Sequence, residues 1–99
     1  KDYPAIMKRK CLNLYPSNAK NLDTTGYKKG DKGNGVLALK YLLMLAKKKS
    51  MHNINLDKND IFGAGTQKAV NNILKNHGYS QNGTAGKKFI DLLGNELLK

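Results

Sequence analysis

Arginine, glutamate, cysteine and tryptophan are almost absent from this sequence of 99 residues. Cys11 is the only cysteine, which excludes an internal disulfide and any zinc site built from several thiolates; we expect a small buried side chain there. Arg9 is the only arginine, so the bidentate guanidinium contacts that read base sequence in nucleic acids are scarce. Glu96 is the only glutamate, and no pair of carboxylates shares an evident scaffold.

Histidine is also rare, and its spacing does not suggest a metal site. His52 and His77 are the only two histidines, and neither stands in a His-x-His or His-Glu-x-x-His pattern. A catalytic zinc needs three protein ligands, and no serine or cysteine has a recognisable base partner. We therefore expect no catalytic residues, no metal ligands and no cofactor, and hence a chain that is not an enzyme.

Long hydrophobic runs are missing as well. The longest apolar stretch, residues 36–46, is interrupted by Lys40 and is shorter than the ~20 residues needed to cross a bilayer, so no membrane anchor is expected. The length allows one domain. Because the chain begins at Lys1, without an initiator methionine or an apolar signal region, it reads as a segment of a larger protein or a mature form.

Positive charge, by contrast, is abundant. Eighteen basic residues against seven acidic ones give a net charge of +11. Such a charge attracts polyanions over a Debye length of about 8 Å at physiological salt: nucleic acid, an anionic membrane, or the teichoic acids and carboxylates of a bacterial wall. Alternatively, an AT-rich genome encodes many lysines and asparagines on any protein surface, and part of the charge then reflects composition.

The most informative stretch is residues 59–70, a tight loop that feeds a helix. Gly63 and Gly65 permit positive φ, and Thr66 is placed to cap the first turn. Apolar residues then recur at helical spacing, which predicts a helix over 66–77 that ends at Gly78. The apolar residues Ile61 and Phe62 within the loop predict that it plugs a core.

Two more helices complete the predicted fold. Residues 36–49 are apolar nearly all round, which is typical of a helix buried in the middle of a bundle. Residues 82–90 repeat the loop-then-helix pattern, with Gly86 lying 23 positions after Gly63, and predict a helix over 87–98. We predict an all-α fold: a small orthogonal three-helix bundle built from two helical pseudo-repeats over residues 27–99. Residues 1–26 form a segment packed on it, either a short helix opened by Pro4 or an extended piece.

These glycine positions carry a resemblance to a known family. The chain resembles the peptidoglycan-binding-like domains attached to bacterial and phage cell-wall hydrolases. Their pattern is Gly-x-x-Gly-x-x-Val-x-x-Leu, then Asp-Gly-x-Phe-Gly-x-x-Thr-x-x-Ala-Val, then a weaker Asp-Gly-x-x-Gly. The matching residues within 27–93 are Gly30, Gly33, Val36, Leu39, Ile61, Phe62, Gly63, Thr66, Ala69, Val70, Gly78, Gly83 and Gly86. The chain departs from the pattern at Asn59-Asp60 and Asn82-Gly83, and has Lys40 and Leu74 where the family usually has glutamine.

The resemblance implies a non-catalytic module that holds an attached wall hydrolase, such as an endolysin or autolysin, on peptidoglycan. Such a domain is expected to be monomeric, and secreted, wall-associated or phage-encoded. A wall strand presents hydroxyls, amides and D-amino-acid carboxylates, so amide side chains, turn backbone, cations and an aromatic or two suit it. The candidate ligand-binding residues are Asn59, Asp60, Tyr79, Asn82 and Tyr27. Each has a structural alternative: asparagine and aspartate in loops bond their own backbone, and Tyr27 is either a half-buried anchor or an exposed stacking platform.

Two other functions compete with wall binding. One is a basic nucleic-acid-binding helical domain that uses a lysine-rich face, which the single arginine and the scattered lysines disfavour. The other is a protein–protein module that docks a neighbouring catalytic domain.

Overall fold

The computed structural model describes residues 26–97, which hold three helices and one two-stranded sheet. In chain order these are β1 (Gly26–Tyr27), α1 (Asn34–Lys48), α2 (Ala64–Asn76), β2 (Ala85–Gly86) and α3 (Lys87–Leu97). The prediction of a small, mostly helical fold is confirmed. The expectation of a purely helical domain is wrong in one respect, because the short sheet is present. The predicted N-terminal segment, Pro4 and Cys11 included, lies outside the described residues.

Helix α1 is the central element. It packs against both α2 and α3. It buries nine residues: Val36, Leu37, Ala38, Leu39, Lys40, Leu42, Leu43, Leu45 and Ala46. The apolar pattern of this stretch therefore correctly predicted a helix that is buried on most sides. Lys40 is the only charged residue among the nine buried ones.

The loop before α2 is held against the segment that precedes α1. The backbone N–H of Gly30 donates to the carbonyl of Phe62 at 2.9 Å, and the N–H of Phe62 donates to the carbonyl of Asp31 at 2.8 Å. This exchange fixes Phe62, which is 1% exposed, in the core. Ile61 does not plug the core as predicted and is 49% exposed, because side chains of successive residues point to opposite sides of an extended segment.

The strands β1 and β2 pair antiparallel, with Gly26 opposite Gly86 and Tyr27 opposite Ala85. The half-buried ring of Tyr27 packs on the core and also covers the start of α1 at Gly35, where a side chain would collide with the tyrosine hydroxyl. The sheet thus ties the start of the described chain to the loop before α3. Its strands are too short to show an alternating pattern in the sequence.

Both α1 and α2 end in a tight turn in which the next two backbone N–H groups bond back to the last helical turn. At the end of α2, Gly78 (φ 79°) takes the left-handed position, as predicted, and the N–H of Tyr79 donates to the carbonyl of Leu74 at 2.9 Å. At the end of α1 the same position is held by Ser50, with φ 62°. A residue with a Cβ is strained there.

The connector between α1 and α2, residues 51–60, forms no strand. His52 fastens it to α1: its Nε2 lies 2.7 Å from the carbonyl oxygen of Leu43, and its Nδ1 accepts the N–H of Ile54 at 3.0 Å. These partners require the neutral ring with its proton on Nε2. Burial is the main cause that lowers the pKa of His52 below the ordinary 6.5, and the charge of Lys47 lowers it further, against the hydrogen bond to Leu43.

Candidate functional site

A cavity of about 150 Å³ lies where α1, the connector and the start of α2 meet. We call it the Lys40 cavity. Its lining comes from Lys40 of α1, residues 55–57 and Asn59 of the connector, Ile61 in the loop before α2, and residues 63–66 around the start of α2. It therefore joins parts of the chain that are distant in sequence.

Lys40 places a positive charge at this junction. Lys40 is 3% exposed. Its Nζ donates to Asn59 Oδ1 at 2.6 Å and to the carbonyl oxygen of Ile61 at 3.0 Å. An ammonium has three N–H donors, so one is left without an acceptor among residues 26–97. Burial lowers the pKa of Lys40 below its ordinary value, and the negative charges of Asp57 and Asp60 partly oppose that shift.

Asn59 shapes the wall of the cavity more than it offers free groups. Its Oδ1 accepts both the ammonium of Lys40 and the N–H of Ile61, the latter at 3.1 Å. Such a bond from a residue two positions on is an Asx turn, which stabilises the loop locally. The turn-forming alternative for Asn59 is thus the one that the hydrogen bonds support, although its side chain still lines the cavity.

The start of α2 contributes donors. Gly63 precedes the helix, and no side chain caps it. The N–H groups of Ala64, Gly65 and Thr66 have no acceptor within the described part of the chain, as is usual for the first turn of a helix. Contrary to prediction, Thr66 is not a cap, because the helix begins two residues earlier than expected. Gly63 and Gly65 do not use the positive φ that glycine permits.

Thr66 has an unusual environment for a hydroxyl. The residue is 2% exposed, lines the cavity, and its Oγ1 makes no hydrogen bond with any described residue. Buried hydroxyls normally have a partner, since leaving one unsatisfied costs about 1–3 kcal/mol. The cavity thus combines a buried ammonium, three backbone N–H groups and an unpaired hydroxyl, an arrangement suited to a hydrogen-bond acceptor with negative charge.

The other predicted site residues lie elsewhere. The Asp60 carbonyl accepts the N–H of Gly33 at 2.9 Å, while its side chain is exposed and does not line the cavity. Asn82 Oδ1 accepts the N–H of Thr84 at 2.9 Å, again an Asx turn. Tyr79 is 52% exposed on the surface, whereas Tyr27 is half-buried in β1. Of the five candidates, only Asn59 lines the Lys40 cavity.

Sequence reasoning missed Lys40 and Thr66 as site residues. The signal for Lys40 was present, because it is the one charge inside the apolar stretch of α1. Thr66 matched the family pattern, but its buried, unpaired hydroxyl depends on how α2 packs and has no sequence signal.

A second polar surface follows the outer side of α2. We call it the α2 face, formed by Lys68, Asn71, Asn72, Lys75 and Asn76. Two cavities of about 420 and 270 Å³ lie along it, and Asn72 lines both. Neither has a carboxylate among its described lining residues, so this face is basic and rich in amides.

Within residues 26–97 no cluster of three or more histidine, cysteine, aspartate or glutamate side chains could hold a metal ion. The same residues contain no helix long and apolar enough to cross a membrane. Comparison with family models, curated proteins and solved structures finds no match to this chain.

Proposed function

We propose that this chain is a non-catalytic module that binds peptidoglycan and keeps an attached wall hydrolase on its substrate. In this proposal it acts on the wall from outside the cell or as part of a phage-encoded enzyme. Its helices form an orthogonal bundle of two pseudo-repeats, since Gly63 and Gly86 each directly precede a helix. The resemblance of residues 27–93 to wall-targeting domains supports the class of function.

The observation that carries the proposal is the Lys40 cavity. It gathers donors from α1 and α2 around a space lined by the ammonium of Lys40, the carboxylate of Asp57 and two side-chain amides, those of Asn55 and Asn59. The peptides of the wall carry carboxylates and amides, which are the partners that such a lining can bind. Hydrogen-bond donors and amide side chains of this kind suit ligand binding, which supports a targeting role.

Anionic wall polymers are a second candidate ligand, favoured by the α2 face. Lys68 and Lys75 have no ion-pair partner among the described residues, and the neighbouring asparagines add amide groups. A lysine is a compact point charge suited to phosphate groups. Among residues 26–97, no tyrosine, phenylalanine or arginine side chain lines the two cavities, and His52, which lines one of them, is 7% exposed, so the face offers little for stacking on nucleic-acid bases.

Co-sedimentation with insoluble peptidoglycan tests the proposal. The full chain is mixed with wall before and after acid removal of teichoic acid, across a salt series and with duplex DNA as competitor. Specific recognition predicts binding to stripped peptidoglycan that persists at about 0.3 M salt, where the Debye length is shorter than 8 Å. Binding only to unstripped wall and DNA, lost as salt rises, would reduce the function to charge attraction.

The double variant Lys68→Gln, Lys75→Gln separates the two ligands. Both side chains are exposed on α2, so the fold should be unaffected. We expect this variant to bind unstripped wall less at low salt and to bind stripped peptidoglycan as wild type does.

A further inference from the structure

Three kinds of donor in the Lys40 cavity lack an acceptor among residues 26–97. The first two are one N–H of the Lys40 ammonium and the backbone N–H groups of Ala64, Gly65 and Thr66. The third kind is the hydroxyl of Thr66, in a residue that is 2% exposed. Ammonium and backbone N–H groups can only donate, so the missing partner is an acceptor.

The lining favours a small acceptor group over a sugar. The cavity, of about 150 Å³, has room for a carboxylate and the carbons that follow it. Among residues 26–97, no aromatic side chain lines the cavity, so a stacked sugar has no platform there.

The surrounding charges limit the acceptor to a single negative charge. Asp57 lines the cavity, and Asp60 stands close enough to act on the Lys40 ammonium. One carboxylate in the lining and a second close by repel any anion, and they repel a doubly charged ligand such as a phosphate monoester more strongly than a singly charged one. A carboxylate, with one charge and two acceptor oxygens, fits both restrictions.

We propose that the Lys40 cavity binds the free C-terminal carboxylate of a wall peptide, with a small final residue such as alanine beside it. This inference rests on the proposed function, because wall peptides are the source of the carboxylate. The carboxylate oxygens accept hydrogen bonds from the start of α2 and from Thr66, and Lys40 supplies the opposite charge. Hydrogen bonds from a helix start and from a charged donor reinforce each other at such a site.

The test is a titration of the full chain followed by ¹⁵N–¹H NMR. The probe is N-acetyl-D-alanyl-D-alanine with a free carboxylate, and the matched ligand is the same peptide with a C-terminal amide. We expect saturable shifts of the Ala64, Gly65 and Thr66 amide signals with the acid and none with the amide. Equal shifts with both, or no shift with either, would overturn the carboxylate assignment.

Variants test the named groups. Thr66→Val keeps the side-chain shape, and we expect it to bind the acid about tenfold more weakly, because one hydrogen bond to a charged group is lost. Since the removed hydroxyl has no partner among residues 26–97, Thr66→Val should unfold at the same denaturant concentration as wild type or a higher one. Thr84→Val, at an exposed threonine outside the cavity, is the control and should bind as wild type. Unchanged affinity of Thr66→Val would contradict the proposed binding mode.

The variant Asp57→Asn should change the affinity for the acid in the opposite direction, towards tighter binding. Removing this carboxylate from the lining should tighten binding of the acid about two- to fivefold at low salt, with a smaller gain as salt rises. Weaker binding by Asp57→Asn would overturn the anion assignment, because it would mean that the ligand presents a positive group to Asp57.

Two further results separate this inference from the proposed function. The L-alanyl form of the probe, which represents the C terminus of an ordinary protein, should bind more weakly; equal affinity would refute a wall peptide as the source. Wild type that sediments with stripped peptidoglycan yet shows no shift with the acid would leave the targeting function standing and refute the carboxylate site. Shifts with the acid but no sedimentation would refute the targeting function.

Discussion

Replacing Lys40 by methionine tests the central contact of the site. The substitution keeps the unbranched stem and removes the ammonium, with its bonds of 2.6 Å to Asn59 and 3.0 Å to Ile61. A hydrogen bond to a charged group contributes about 1.5–3 kcal/mol where its partner is fully buried. Here the two acceptors belong to exposed residues, and water can replace the ammonium at both.

Two effects therefore set the size of the loss. Water that binds Asn59 and Ile61 in the variant reduces the free energy lost with each hydrogen bond. The variant also avoids the desolvation cost of burying a charge, which is the cause of the lowered pKa of Lys40. We expect the free energy of unfolding to fall by about 1–2 kcal/mol, because the loop before α2 loses its attachment to α1. For a domain of this size that corresponds to a Tm lower by about 5–15 °C.

The assay is urea unfolding followed by circular dichroism near neutral pH, with Lys58→Met as the matched control. Lys58 is exposed on the connector and has no hydrogen-bond or ion-pair partner among residues 26–97, so its replacement should change stability by less than about 0.5 kcal/mol. Equal or greater stability of Lys40→Met would refute the reasoning, because the cost of burying the ammonium would then match or exceed the value of its two bonds.

Three further changes have definite expected results. Ser50→Gly should raise the unfolding free energy by about 0.5–1 kcal/mol in urea melts, because glycine adopts φ 62° without strain; no gain would contradict that strain. Gly83→Ala should lower the unfolding free energy by about 1–2 kcal/mol, because Gly83 has φ 72°. Gly86→Ala, where the added Cβ meets open space, should change the unfolding free energy by less than about 0.5 kcal/mol. Equal losses in the two variants would refute this reasoning. His52 has a folded pKa below 6.5, so the unfolded chain binds more protons on acidification and stability should fall as pH drops through 6.5 towards the folded value. Melts at a series of pH values should show this loss reduced in His52→Gln and retained in His77→Gln.

The positions of the helices could be predicted because their signals are local. Apolar spacing in residues 36–46 and after Gly63 marks helices whatever the rest of the chain does. The turn at Gly78 is likewise a property of neighbouring residues. The sheet between β1 and β2 could not be predicted in this way, since it pairs two-residue strands almost 60 positions apart.

The Lys40 cavity shows the limit of sequence reasoning for a site. Sequence analysis selected two loop asparagines, an aspartate and two tyrosines because such residue types often bind ligands. The structure shows Asn59 and Asn82 bonded to their own loops, as the structural alternative allowed. It leaves Tyr79 on the surface, outside the cavity.

The sequence by itself determined the number and approximate bounds of the helices in residues 26–97, the burial of α1 and the basic character of the chain, because each depends on composition or on neighbours within a few turns. Only the tertiary structure decided that Lys40 meets residues 19 and 21 positions later, and that the buried Thr66 hydroxyl has no partner within the part of the chain that the structure describes. A hydrogen bond between distant residues depends on how the helices pack, and packing is a property of the whole core.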